Sequence, residues 1–174
     1  MPSTYYIDGY NVIHHSSLLQ PLAEQDFEAA REALIEKVGR FCSATGSTAK
    51  IVFDGRGRRI QPMEPVSHYP GLEVLYSPGH QSADTVIERI VYTSSDRRNV
   101  IVVSGDRGIR DLCRGLNALV MEPDNFLKTV RESDAETRNT VTRTQKHDSL
   151  LRVEERLDDA MIARLARIKR ELGE

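Results

Sequence analysis

Short runs of apolar residues alternate along this chain with stretches in which apolar residues recur every three or four positions. The first run, Tyr5-Tyr6-Ile7, predicts a strand that ends at Asp8-Gly9, a pair that reads as a strand terminus and turn. From Asp26 to Ala44, Phe27, Ala30, Leu34, Val38 and Phe41 mark one face of an amphipathic helix, with Asp26 as N-cap and Gly46 as stop. Ile51-Val52-Phe53 predicts a buried second strand ending at Asp54-Gly55. Arg56 to Gly71 has no period and is rich in Gly, Pro and Arg, which predicts a long loop. Leu72 to Tyr76 follows as a third strand. Ser82 caps a helix from Ala83 to about Thr93, with Val86, Ile87, Ile90 and Val91 as its stripe. Val100 to Val103 is the strongest strand signal. It is followed by a helix over Ile109 to Leu116, a strand over Ala118 to Met121 and a helix from Pro123 to Glu132.

Strands of four to six apolar residues alternating with helices imply βαβ units and a mostly parallel sheet buried on both faces. The predicted fold class is therefore α/β with three layers. Arg138 to Ser149 is polar and aperiodic. Beyond it Leu150, Leu157, Met161, Leu165, Ile168 and Leu172 predict a C-terminal helix of about 23 residues, on the order of 35 Å. The expected division is a domain over residues 1–137 and an appendage over 138–174.

Composition narrows the classes. With 39% hydrophobic and 29% charged residues the 174-residue chain fits one soluble domain. No apolar run approaches the roughly 20 residues of a membrane span, and the first residues lack the layout of a leader, so the expectation is a cytoplasmic protein with no membrane partner. Two cysteines, Cys42 and Cys113, make no disulfide framework and read as buried thiols. A net charge of −2 excludes nucleic-acid binding by bulk electrostatics, so any phosphate contact must be local. The cations are 19 Arg against 5 Lys, and Arg is the better bidentate partner for phosphate.

The candidate chemistry lies in carboxylates. Ligands of open parallel sheets bind beyond the carboxyl ends of the strands. Asp8, Asp54 and Asp106 each follow an apolar strand, and Asp84 stands in the first turn of a helix that can face the same crevice. Any one of them could be an ordinary turn former or helix-terminal charge, but three strands with the same ending point to a shared site. Four converging carboxylates repel one another unless a cation joins them. Oxygen ligands with few histidines select magnesium or manganese over zinc.

IDGYNVI (Ile7 to Ile13), QSADTVIERIV (Gln81 to Val91) and VVSGDRGIRDL (Val102 to Leu112) resemble, in order, the three signature segments of NYN-type, PIN-like ribonuclease domains, and among them the YacP-like branch. The similarity spans roughly residues 4 to 127. It implies a PIN-like fold and a metal-dependent endoribonuclease, with Asp8, Asp84 and Asp106 as metal-binding acids and Asn11 as the accompanying polar residue. The resemblance also implies cleavage of messenger RNA linked to the ribosome. Asp54 is similar to the family's pattern, with a less settled role; Asp111 ranks below it.

Read chemically, one or two such cations would activate water for in-line attack on phosphorus, and no nucleophilic side chain is needed. Asn11 would orient a water or phosphate oxygen, or else close the Gly9-Tyr10 turn; Ser104 has the same two readings. Arg56, Arg58 and Arg59 after Asp54, and Arg107 and Arg110 after Asp106, are the candidate RNA-phosphate contacts, against the plainer reading of solvated charges. Tyr69 or Tyr76 would stack on a base or pack internally. His14-His15 reads weakly as a metal or base pair, since neighbours in sequence rarely share a face. Gly55 and Gly57 begin a dinucleotide fingerprint that Ile60 breaks. The competing functions are a non-catalytic RNA- or ribosome-binding module, which the acidic quartet opposes, and a small-molecule phosphohydrolase, which lacks the D-x-D spacing.

Overall fold

The computed structural model describes residues 3–55 and 69–138, with Arg164 and Arg167. The chain divides into two compact units, Met1–Asp134 and Ala135–Glu174. Of the second unit, residues 135–138, Arg164 and Arg167 are described, and all are helical. The predicted helix from Leu150 otherwise lies outside the described residues, as do Arg56, Arg58 and Arg59.

The first unit runs β1 (Thr4–Asp8), α1 (Gly9–His15), α2 (Leu19–Gln25), α3 (Phe27–Thr45), β2 (Thr48–Phe53), β3 (Leu72–Tyr76), α4 (Ala83–Thr93), a 3-10 turn (Arg97–Asn99), β4 (Val100–Val103), α5 (Arg107–Gly115) and β5 (Leu119–Met121). Residues 123–134 add a last helix, α6. The five strands form one sheet in the order β3-β2-β1-β4-β5. Every pairing is parallel, with Ile7 beside Ile51 on one side and Val103 on the other.

Alternate residues of each strand feed two separate cores, which is why these strands read as continuous apolar runs. Tyr5, Ile7, Ile51, Phe53, Ile101 and Val103 face one core with α1, α3 and α6. Tyr6, Val52, Val100 and Val102 face the other with α4 and α5. The three predicted layers are thus present. The aromatic rings of Tyr5, Phe41 and Phe126 meet at 5.4 to 5.9 Å between centroids and lock β1, α3 and α6 together. On α3, Ala30, Leu34, Val38 and Phe41 are buried. Truncating Leu34 to Ala would cost about 2–5 kcal/mol. Gly46 ends α3 in the left-handed region at φ 68°.

The Asp8-Gly9 turn is a correction: Gly9 begins α1 directly. Asp is as good an N-cap as a turn former. Gly9 is required there because an added Cβ would lie 2.3 Å from the Phe53 ring. Helix α2 also went unforeseen. Its Pro21 is a breaker by composition, but in the first turn of a helix the missing N–H costs nothing. Among the described residues no helix is long and apolar enough to cross a membrane.

Candidate active site

Strand order reverses direction around β1: the chain moves outward through β2 and β3, then returns to place β4 on the other side. The crevice between the carboxyl ends of β1 and β4 is therefore the topological switch point, where sheets of this kind bind ligands. Asp8 ends β1, Asp106 follows β4 by three residues, and Asp54 follows β2 by one.

Each of these strand-end carboxylates uses one oxygen to hold a backbone. Asp8 Oδ1 accepts the Asn11 N–H at 3.1 Å and caps α1. Asp106 Oδ1 accepts the N–H groups of Gly108 and Ile109 at 2.7 and 3.1 Å and caps α5. Asp54 Oδ1 accepts the N–H of Ala83, the first residue of α4, at 2.6 Å. Ser82 supplies that helix's N-cap through the Thr85 N–H. Turn chemistry and an acidic site are therefore not alternatives here. The capping bonds fix each carboxyl, and among the described residues the second oxygen of Asp8, Asp54 and Asp106 takes no hydrogen bond from the backbone.

The electrostatics tie the group together. Asp8 is buried, and its carboxyl is pushed up to about 7, first by burial and then by the charges of Asp84 and Asp54 and a side-chain hydrogen bond with Asp84, against the lowering effect of the Asn11 N–H. The Asp84 carboxyl is raised by burial, by Asp106 and by Asp54, while its bond with Asp8 lowers it. Asp8 and Asp84 are thus a coupled pair of carboxyls, both pushed toward the protonated form, with Asp106 and Asp54 in electrostatic range. Among the described residues no three His, Cys, Asp or Glu side chains are gathered as a ready metal cage. The observation that fits a divalent cation is Asp84 Oδ1, an oxygen buried with no hydrogen-bond partner beside the other acids, which a hard cation would satisfy.

Polar residues brace the acids. Asn11 Oδ1 accepts the Gly105 N–H at 2.6 Å, bridging α1 to the loop that carries Asp106. This assigns the Asn11 carbonyl oxygen to the protein itself, and there is no Gly9-Tyr10 turn for it to close. Ser104 is fully buried, and its Oγ accepts the Asp106 N–H at 3.1 Å. Sequence reasoning missed Ser77. Its buried hydroxyl donates to Asp54 Oδ1 at 3.4 Å and accepts the Gly55 N–H at 3.1 Å. The signal was available: Ser77 closes β3 as Asp54 closes β2.

The cations are less convergent. The Arg107 side chain is 89% exposed and pairs with Asp111 at 3.7 Å. Arg110 is held against Glu122 with 15% of its side chain exposed. Asp111 lies between Arg107 and Arg114 on the outer face of α5. Tyr76 packs on Phe53, and an added Cβ on Gly39 would meet the Tyr69 ring, so packing accounts for both tyrosines. Cys42 and Cys113 are free and buried, and burial pushes each thiol up to about 11. His14 is exposed, while His15 Nδ1 lies 2.9 Å from the Asn11 carbonyl oxygen.

Comparison with known proteins agrees with this architecture. The sequence pattern of the YacP-like NYN domain matches residues 5–170, well past the roughly 127 at which the similarity read from the signature segments ends. The uncharacterized protein YacP of Bacillus subtilis (strain 168) is 32% identical over 84 residues, a match spanning 48% of this chain and 48% of that protein. Crystal structures of Rae1 (YacP) from Bacillus subtilis superpose with TM-scores of 0.70 and, for a mutant form, 0.68. They cover 91% and 82% of both chains at 23% and 24% identity, so the likeness establishes the fold.

Proposed function

Because this chain belongs to the YacP-like NYN domain family, whose PIN-like nuclease fold supports a nuclease-like, RNA-related role, we propose that it is an endoribonuclease dependent on magnesium or manganese. The observation that carries this reading is the Asp8–Asp84 carboxyl pair at the switch point, with an orphaned Asp84 oxygen beside it. Asp8, Asp84 and Asp106 would hold the cation, with Asp54 behind them. When bound, such a cation supplies Lewis-acid activation of water and neutralises charge gathering on the phosphoryl oxygens.

The chain's own residues prepare the ground for that chemistry. Burial and mutual repulsion raise the Asp8 and Asp84 carboxyls, so a bound cation would be what holds both ionised in the crevice. Asn11 and Ser104 hold the backbone N–H groups of Gly105 and Asp106 and so the approach of Asp106 to the pair. The N-termini of α4 and α5 lie at the same end of the sheet, where their first N–H groups are held by Asp54, Ser82 and Asp106. Arg56, Arg58 and Arg59 would grip neighbouring phosphates, with Arg107 and Arg110 at the rim. Messenger RNA on the ribosome, in the cytoplasm, is the substrate setting that the family resemblance favours.

The test is incubation of the purified protein with a single-stranded RNA, with and without a chelator. Cleavage that the chelator stops and magnesium or manganese restores is expected. RNA bound and left intact in magnesium would overturn the enzyme reading in favour of a binding module. Activity restored by zinc alone would overturn the choice of cation.

A further inference from the structure

One group at the crevice is used by neither the carboxylates nor their braces. His15, the last residue of α1, is exposed, and its Nδ1 stands 2.9 Å from the Asn11 carbonyl oxygen. A carbonyl can only accept, so Nδ1 carries a proton directed at it. In the neutral ring the other nitrogen, Nε2, is then an acceptor. That nitrogen lies against Gly105. An added Cβ on Gly105 would lie 2.7 Å from His15 Cε1 and 2.9 Å from Nε2, so the ring rests on the glycine that precedes Asp106. The same glycine donates its N–H to Asn11 Oδ1 at 2.6 Å. Gly105 therefore makes room for two side chains of α1, and only one of them, Asn11, braces the loop through a hydrogen bond to its backbone. With Nδ1 given to that carbonyl, the other ring nitrogen faces the glycine that precedes Asp106 and has no partner in the chain among the described residues.

An acceptor nitrogen at this place suits a hydroxyl donor and not a phosphate oxygen, which itself only accepts. On a ribonucleotide chain the hydroxyl repeated at every residue is the 2′-OH, and it is the group that separates RNA from DNA. We propose that His15 accepts a hydrogen bond from a ribose 2′-hydroxyl next to the bound phosphate, and so sets the site's preference for RNA over DNA. This rests on the nuclease reading and adds a specificity-determining residue to it.

The test uses a single-stranded oligoribonucleotide of about 12 nucleotides, its all-deoxy counterpart, and chimeras with one 2′-deoxy sugar at each position in turn. Binding is followed by fluorescence anisotropy and cleavage by fragment analysis. Wild-type protein should favour RNA, and one deoxy position should weaken binding about five- to tenfold, the effect of one lost hydrogen bond. His15→Ala should weaken RNA binding by a similar factor and leave DNA binding unchanged. In that variant the sensitive deoxy position should no longer matter, because the two changes remove the same bond. A variant that weakens RNA and DNA alike, or one that keeps the wild-type RNA-to-DNA ratio, overturns the proposal. So does a wild-type deoxy scan with no sensitive position, which requires no variant. Wild-type protein that neither binds nor cleaves RNA would overturn the nuclease reading itself, an outcome distinct from these.

Discussion

Asp54 Oδ1 accepts the backbone N–H of Ala83 at 2.6 Å, so the end of β2 holds the first residue of α4 across 29 positions of sequence. The next residue of that helix is Asp84, whose carboxyl is electrostatically coupled to Asp8. Asp54 thereby controls the carboxyl pair through the backbone as well as through its charge. Asp54→Ala should lower stability by about 1–2 kcal/mol, the loss of a helix-terminal acceptor, and lower RNA cleavage with it. Asp54→Asn keeps an Oδ1 acceptor and should retain most of the stability. Urea denaturation and cleavage assays on both variants check this; equal destabilisation by the two would assign the effect to charge alone.

Asp8→Asn and Asp106→Asn separate fixing from chemistry. Asparagine preserves the caps of α1 and α5, because its carbonyl oxygen can still accept the Asn11 N–H or the Gly108 and Ile109 N–H groups. Both variants should fold, with unchanged circular dichroism, and each should cut RNA at least about a hundredfold more slowly. Full activity in either would remove that residue from the site.

The strands and the helices α3 and α4 could be read from the chain because burial on both faces leaves unbroken apolar runs in the strands, and α3 and α4 show one apolar face each. Asp8, Asp54 and Asp106 were legible as strand endings for the same reason. Helix α1 was not, because Asp-Gly serves a turn and an N-cap equally, and only the Phe53 ring lying over Gly9 decides between them. Long-range backbone bonds explain the rest. Asn11 to Gly105 spans 94 residues and Asp54 to Ala83 spans 29, and no local pattern announces either. Ser77 belongs to the same class: its identity as a strand-ending polar residue is visible, but its bond to Asp54 exists only once β2 and β3 are paired.

The carboxyl pair should be visible in stability against pH. Asp8 titrates at about 7 in the folded chain against 3.8 for the free group. Between those values the folded state keeps a proton that the unfolded state has lost, so stability falls as pH rises from about 4 to 7. For Asp8 the fall is on the order of 4 kcal/mol, and the raised Asp84 acts in the same direction. Thermal melts in chelator should therefore decline across this window, and Asp8→Asn should flatten the decline and melt higher at pH 8. Magnesium added at pH 8 should raise the wild-type Tm by binding the ionised carboxylates, and should raise that of Asp8→Asn far less. A wild-type profile that rises from pH 4 to 7 would contradict the pairing.

Attraction of RNA to an acidic crevice requires cations beyond those that α5 offers. Arg110 is engaged by Glu122, and Arg107 shares its charge with Asp111. The chain as a whole carries a net charge of −2, so no diffuse field compensates. Arg56, Arg58 and Arg59 follow Asp54 closely in sequence, and the proposed function gives them the phosphates flanking the scissile one. Phosphate contacts act on all sequences alike and are read in the salt dependence of affinity. Replacing all three by Ala should weaken unrelated RNAs equally. It should also reduce the slope of log affinity against log salt by about 0.7 for each phosphate released, or about 2 if all three make contact. A triple variant with an unchanged slope would move the RNA grip to another surface, and one that discriminates between RNA sequences would make these arginines readers of bases.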